Sequence, residues 1–261
     1  MPNHVTNKLI IGEVNADRLK EIRLAIAGTG IPFAGSEERS VDAIDFNKII
    51  PMPPSLAVEA SSIGELGFAH SHPEYAKYPF YVGDEGEKRW NELDEDRKAE
   101  ALKLGEIYYN NLSEHGATTW YEWCTKHWNT KWGAYSIFVE DKQDENGEVV
   151  AYSNEIQFDT AWATPFRIIQ KLSEMFPDAE FSVTYADEDM GKNCGRYTYQ
   201  DGEEIESYQP EGGSDEAMEL AIEVKNMQGE WRYQSEIDEE NSQNDHTAEI
   251  ENEAEAKANE D

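Results

Sequence analysis

The chemically distinctive residues of this sequence are carboxylates that recur at helical and strand spacing in its last quarter. Glu216, Glu219 and Glu223 lie three and four positions apart in "SDEAMELAIEVKNM", so they share one face of the helix that this stretch predicts. The predicted strand edge "YQDGEEIESY" adds Asp201, Glu203, Glu204 and Glu206. Helix neighbours at this spacing are about 5–6 Å apart, close to the interval between successive phosphates of a nucleic-acid strand. We predict that these acids bind lysines and arginines of a partner protein.

The charge of the whole chain favours the same interpretation. The sequence has 22 Lys and Arg against 55 Asp and Glu, a net charge of −33. Residues 236–261 carry eleven acids and one lysine, so −10 belongs to this tail and −23 to the rest. Such a chain repels phosphate backbones and anionic lipids, so direct binding to nucleic acid or membrane is disfavoured and a basic partner is favoured. The alternative is that the acidity only provides solubility or adapts the protein to salt.

Other residue patterns predict neither a metal site nor a catalytic centre. Cys124 and His127 have the spacing of a zinc-binding pair, but only Cys194 could join them, whereas a structural zinc site needs four ligands. The acids that begin at Asp187 fail as a calcium loop, because the fifth position is Gly191 and supplies no side-chain oxygen. No phosphate-binding glycine motif or hydrolase motif occurs. The sequence therefore predicts no enzyme, no cofactor and no metal.

An aromatic segment, "TTWYEWCTKHWNTKWGAY", holds four of the seven tryptophans. On a helix, five of its residues fall on one continuous face: Trp120, Trp123, Cys124, His127 and Trp128. Bases stack on exposed rings beside a cationic groove, whereas the flanks of this segment are acidic. The segment is therefore predicted to be core and not a nucleic-acid site.

The hydrophobic pattern predicts an α+β protein with antiparallel sheets covered by helices and with ferredoxin-like units. "HVTNKLIIGEV" and "SVDAIDFNKII" are predicted strands on either side of a helix that Asn15 caps. Residues 55–92 have the Pro and Gly content of an irregular segment, and 94–114 predict a helix. Strands, a helix, two more strands and a closing helix follow, and Asn146-Gly147 indicates a hairpin.

Four segments follow from these elements. They are an N-terminal strand-helix-strand portion (1–54), an irregular and helical connecting region (55–133), a C-terminal ferredoxin-like portion (134–231) and a disordered acidic tail (232–261). The N-terminus has no secretory signal pattern and there are only two cysteines, so a cytoplasmic protein is expected.

Three passages resemble the YubB-like family of phage and plasmid proteins. They are "MPNHVTNKLIIGE", "WNTKWGAY" with "IQFDTAWATP" after it, and "FPDAEFSVTYADEDMGKNCG". The resemblance extends from Met1 to about Tyr208, and its Trp-x-x-Lys-Trp and Thr-Ala-Trp motifs are its most specific parts. It implies a ferredoxin-like domain in the C-terminal part and a mobile-element protein, and it supplies no catalytic residue.

Together, charge and resemblance predict an inhibitor of a host nucleic-acid-targeting defence complex, of the CRISPR, restriction or other nuclease type. The expected partner is a host defence protein whose basic nucleic-acid groove accepts an acidic mimic of DNA. The alternative function is a small enzyme or ligand-binding ferredoxin-like domain with a pocket near Trp162 and Tyr185.

Overall fold

The computed structural model describes residues 3–29 and 43–225, which contain eight strands and eight α-helices. The strands are β1 (His4–Gly12), β2 (Tyr135–Phe138), β3 (Lys142–Gln143), β4 (Val149–Ala151), β5 (Glu155–Ala161), β6 (Glu180–Asp187), β7 (Cys194–Gln200) and β8 (Glu203–Tyr208). The helices are α1 (Ala16–Ile26), α2 (Phe46–Ile49), α3 (Ser62–Ser71), α4 (Gly83–Asn91), α5 (Glu95–His115), α6 (Trp120–His127), α7 (Phe166–Met175) and α8 (Asp215–Val224). The predicted acidic tail, 232–261, lies outside the described residues.

Six strands form one antiparallel sheet in the order β2-β5-β1-β6-β7-β8, and β3 pairs with β4 in a separate hairpin. The first strand of the chain is central, since β1 pairs antiparallel with both β5 and β6. β5 and β6 are therefore parallel to each other, and α7 connects them across β1. This split β-α-β arrangement belongs to ferredoxin-like folds, and the predicted α+β class with an antiparallel sheet is confirmed.

One face of the sheet carries the main core. Alternate residues of β1 are buried, and Leu9 and Ile11 pack in the same cluster as Ile22 of α1 and Leu172 of α7. The polar side chain of Asn15 accepts a hydrogen bond from the Arg18 N–H at 3.0 Å, so the predicted cap of α1 is confirmed.

The aromatic segment belongs to this core, as predicted. Trp123, Cys124 and Trp128 are buried, and the Trp128 indole N–H donates to the Ile50 carbonyl at 2.9 Å. Trp120 packs against the same cluster but is only partly buried. Burial raises the pKa of the Cys124 thiol to about 12, which makes it a packing group and not a nucleophile.

Two predictions for the first half of the chain are wrong. The strand expected in "SVDAIDFNKII" is replaced, within its described part, by the short helix α2, because the Asp45 carboxylate accepts from the Asn47 N–H at 2.9 Å and caps it. The segment expected to be irregular, 55–92, contains α3 and α4. α3 begins where the Ser61 hydroxyl accepts from the Gly64 N–H at 3.2 Å.

Glycines on both helices are contact points between α3 and α5. A Cβ atom on Gly67 would lie 1.8 Å from the Ala101 carbonyl oxygen, and one on Gly105 would lie 2.5 Å from the Gly67 backbone. Only glycine permits this approach, so the two helices pack backbone against backbone.

Candidate protein-binding acidic surface

The opposite face of the sheet carries α8, the helix with the predicted acidic stripe. Its hydrophobic side packs on Ala186 of β6 and Cys194 of β7 through Ala217, Leu220, Ala221 and Val224. The Cys194 thiol also lies 3.3 Å from the Ala217 carbonyl oxygen. This contact fixes the rotation of the helix, because its apolar residues must face the sheet.

The other side of α8 consequently presents three carboxylates to solvent. Glu216, Glu219 and Glu223 are all exposed, as their spacing predicts. Hydrogen bonds from its own backbone N–H and from the Ser214 side chain lower the pKa of Glu216. Glu216 near the N-terminal end of α8 therefore stays ionised to a lower pH than an ordinary glutamate.

These carboxylates have little compensation by cations. The Arg196 guanidinium is 3.9 Å from the Glu223 carboxylate, at the outer limit of an ion pair. Within residues 3–29 and 43–225, no Lys or Arg nitrogen lies within 4 Å of the carboxylates of Glu216 or Glu219. The stripe is an ordered set of negative charges that the described part of the fold does not neutralise.

β8 adds two carboxylates on the same side of the sheet. Glu203 stands opposite Gln200 and Glu206 opposite Thr198, and both β7 residues share a face with Cys194, on which α8 packs. In a regular strand, two residues three positions apart, such as Glu203 and Glu206, point to opposite faces. Here the register shifts after Glu204, so the bulge returns Glu206 to the face of Glu203.

The fourth residue of the predicted edge set, Glu204, lies on the other face. It stands opposite Tyr199 and accepts a hydrogen bond from its hydroxyl at 3.0 Å. Burial and this hydrogen bond raise the pKa of Tyr199. Asp201 occupies the hairpin turn with Gly202, and both have positive φ angles, 50° and 79°. The acidic surface on the α8 side thus contains Glu203, Glu206, Glu216, Glu219 and Glu223, but not Glu204.

Sequence reasoning missed a pair of interacting carboxylates, Glu65 on α3 and Glu122 on α6. Burial first, and the charge of Glu122 second, raise the pKa of Glu65 on α3 to about 7. For Glu122 on α6, hydrogen bonds from Lys77 and from Thr118 outweigh burial and lower the pKa. The two residues are 57 positions apart in the sequence, and local periodicity holds no signal that they meet.

The residues of the alternative pocket have different surroundings. Trp162 is 39% exposed at a φ of 76°, and its ring lies 5.9 Å from that of Tyr121 and 5.2 Å from the Lys131 ammonium. Tyr185 is buried, stacks on Tyr197 at 5.7 Å and accepts a 2.7 Å hydrogen bond from the Gln209 amide. Trp162 is the accessible member of the two.

The zinc pattern does not assemble, because Cys124 packs in the main core and Cys194 in the small cluster under α8, on the other face of the sheet. Across residues 3–29 and 43–225, no cluster of three or more His, Cys, Asp or Glu side chains is placed to hold a metal ion. Among the helices of the same ranges, none combines the length and apolar character of a membrane span.

Comparison with known proteins identifies the fold. Residues 109–257 match the family described as the ferredoxin-like domain in Api92-like protein, a match over more than half of the 261 residues. The crystal structure of the protein api92 from Yersinia pseudotuberculosis is similar with a TM-score of 0.38 at 11% identity, covering 82% of this chain and 100% of that one. No curated protein matches the chain in sequence.

Proposed function

The chain belongs to the family with the ferredoxin-like domain of Api92-like proteins, and we propose that it is a binding protein. Its proposed role is that of a phage- or plasmid-encoded inhibitor of a host nucleic-acid-targeting defence complex of the CRISPR, restriction or other nuclease type. The acidic surface on the α8 side would occupy the basic groove with which the defence protein holds nucleic acid, inside the host cytoplasm.

The observation that carries this proposal is the placement of carboxylates with little cation compensation on ordered elements. Like charges three and four positions apart on a helix destabilise it by about 0.2–0.5 kcal/mol per pair. This repulsion is present in α8, whose exposed side carries Glu216, Glu219 and Glu223 and whose other side packs on the sheet. Acidity that served solubility alone would not require an ordered array, whereas a rigid row of carboxylates suits a groove that binds a row of phosphates.

Binding by such a surface has a definite signature. Charges that steer association raise the on-rate, and salt screens them with a Debye length of about 8 Å at physiological ionic strength. Inhibition is therefore expected to weaken as salt increases, and DNA is expected to compete, because both ligands occupy one groove.

The test is a cleavage assay with a panel of purified restriction and CRISPR-type nucleases, with and without the protein. Reversal of the α8 stripe, Glu216→Lys with Glu219→Lys and Glu223→Lys, is expected to abolish inhibition of the responsive nuclease. The control reverses three other exposed acids, Glu87, Glu92 and Asp96, and changes the net charge equally. If both variants lose inhibition equally, inhibition depends on net charge and not on the α8 stripe. If the unaltered protein inhibits none of the nucleases, the proposal is refuted.

A second candidate function, ligand binding at Trp162, is favoured by one observation. A bulky residue with positive φ is a backbone outlier, and such strain clusters at functional sites. Nucleotides and divalent metals, screened by thermal shift, test this alternative, since a ligand of the folded state raises Tm by mass action. Trp162→Ala should remove any shift that arises at this ring.

A further inference from the structure

Within residues 3–29 and 43–225, the outer edge of β8 has no partner strand. β8 is the last strand of the six-stranded order, it pairs with β7 on one side, and all six of its residues are exposed. Among the described elements, none hydrogen-bonds to its other side. Unpaired N–H and C=O groups along such an edge are a ready template for another extended chain.

The opposite edge of the sheet, β2, is less suited than β8 to pairing with another strand. β2 is four residues long, its pairing with β5 shifts register between Tyr135 and Phe138, and Ser136 has a φ of 50°. An irregular, short edge limits the number of successive backbone hydrogen bonds. β8 is therefore the edge on which a second strand could form a ladder.

The side chains of β8 specify the chemistry of that strand. Glu203 and Glu206 project from one face and Glu204 from the other, so a neighbouring strand meets carboxylates on both faces. Ile205 and Tyr208 are 53% and 46% exposed and offer apolar contact. Opposite charges on adjacent strands stabilise pairing and like charges destabilise it.

The same rule excludes a second copy of this chain. Two β8 edges would bring glutamates against glutamates, which is how natural edges prevent self-association. Residues 226–261 of the chain are also acidic, with twelve Asp and Glu against two Lys and Arg, and meet the same repulsion. The negative charge on this edge therefore disfavours pairing with another copy of the chain or with residues 226–261, and it favours pairing with a basic strand.

We infer that β8 binds an extended, lysine- and arginine-rich segment of a partner protein by strand addition. This inference rests on the proposed function, since it assigns the partner's backbone to β8 beside the charged contacts of α8. The backbone ladder holds the segment, and basic side chains on both of its faces meet Glu203, Glu204 and Glu206.

The experiment uses the full chain and a synthetic octapeptide of the repeat Lys-Lys-Val-Val, which places lysines on both faces of an extended strand. The control peptide has the same sequence with every residue N-methylated, which keeps every charge and removes the backbone donors on both edges. We expect the control to bind about tenfold more weakly. Hydrogen exchange of the amides of residues 203–208 is expected to slow only with the unmethylated peptide.

Variants locate the contact. Glu203→Gln with Glu206→Gln, which leaves the Tyr199–Glu204 hydrogen bond in place, is expected to weaken the peptide about tenfold. Glu87→Gln with Glu92→Gln, exposed acids on and after α4, is the matched control and is expected to have no effect. Loss of affinity in the first variant, together with amide protection in the unaltered protein, supports strand addition.

The outcomes separate this inference from the proposed function. Equal affinity for both peptides without protection of β8 amides would overturn strand addition, even if nuclease inhibition persisted. Protection of β8 amides in a protein that inhibits no nuclease would retain the strand-binding edge and refute the inhibitor proposal.

Discussion

Replacement of Glu65 by glutamine tests the electrostatics of the N-terminal helices. Glu65 on α3 faces Glu122 of α6, Lys77 and the hydroxyl groups of Tyr78, Tyr81 and Tyr108. Lys77 forms an ion pair with Glu122, so no described cation is committed to Glu65. Glutamine keeps the shape of the side chain and removes the titration.

The sign and size of the effect on the free energy of unfolding follow from the pKa of Glu65. The pKa of Glu65 rises from 4.5 to about 7 in the folded protein, so between these pH values the folded state binds more protons than the unfolded state. The free energy of unfolding therefore falls as pH rises through this window. A shift of this size corresponds to at most about 3 kcal/mol. Glu65 is only partly buried, and solvent screening reduces the expected effect to about 1–2 kcal/mol.

Thermal unfolding of the wild type and Glu65→Gln at pH 5, 6, 7 and 8 measures this difference. We expect the Tm of the variant relative to wild type to increase by about 2–8 °C from pH 5 to pH 8, since 1 kcal/mol corresponds to about 2–4 °C at this size. Glu122→Gln provides a control of opposite sign. The pKa of Glu122 is lowered by its partners, so its carboxylate stabilises the fold above pH 4.5 and its loss lowers the Tm there.

A Tm difference between wild type and Glu65→Gln that stays constant from pH 5 to pH 8 would refute the reasoning. It would mean that the Glu65 carboxyl titrates at its ordinary pH despite burial and the neighbouring carboxylate.

Three further predictions concern packing, turn geometry and thiol reactivity. Gly67→Ala is expected to destabilise the protein by about 1–3 kcal/mol or more through overpacking of α3 on α5, whereas Gly133→Ala, with open space around its Cβ, should change the unfolding midpoint in urea little. Gly202→Ala should cost about 1–3 kcal/mol, since φ is +79° and the new Cβ would lie 2.8 Å from Glu174 Cγ; an unchanged midpoint would contradict the turn. Cys124, whose pKa is raised by burial, should react with iodoacetamide at pH 8 only after unfolding, and fast labelling of the native protein would place it at the surface.

Local sequence determined the elements whose signals are themselves local. Examples are the alternating burial along β1, the Asn15 cap of α1 and the apolar side of α8. Each depends on residues that are close to one another in the sequence. The exposure of Glu216, Glu219 and Glu223 follows directly, because a helix that buries one side must present the other. The helical spacing of the tryptophans near α6 likewise predicted that they form core.

Local signals failed where the same residue type serves two purposes. Gly64 and Gly67 break the helical pattern in the sequence, yet they lie inside α3, where they allow α5 to approach. Asp45 fits the alternation of a strand, but its carboxylate caps α2. In each case a tertiary or capping contact outweighed intrinsic propensity.

Only the tertiary structure decided which distant residues meet. The central place of β1 between β5 and β6 depends on pairing across about 150 to 180 positions. For such pairs the hydrophobic pattern predicts which face is buried but not which strand is the neighbour. The bulge in β8 divides Glu204 from Glu203 and Glu206, and the tertiary structure places Glu65 close enough to Glu122 for their charges to interact. The sequence determined how much negative charge this protein has and which sides of its elements carry it; strand register and helix packing decided which of those charges act together, because both depend on contacts that no short stretch of sequence contains.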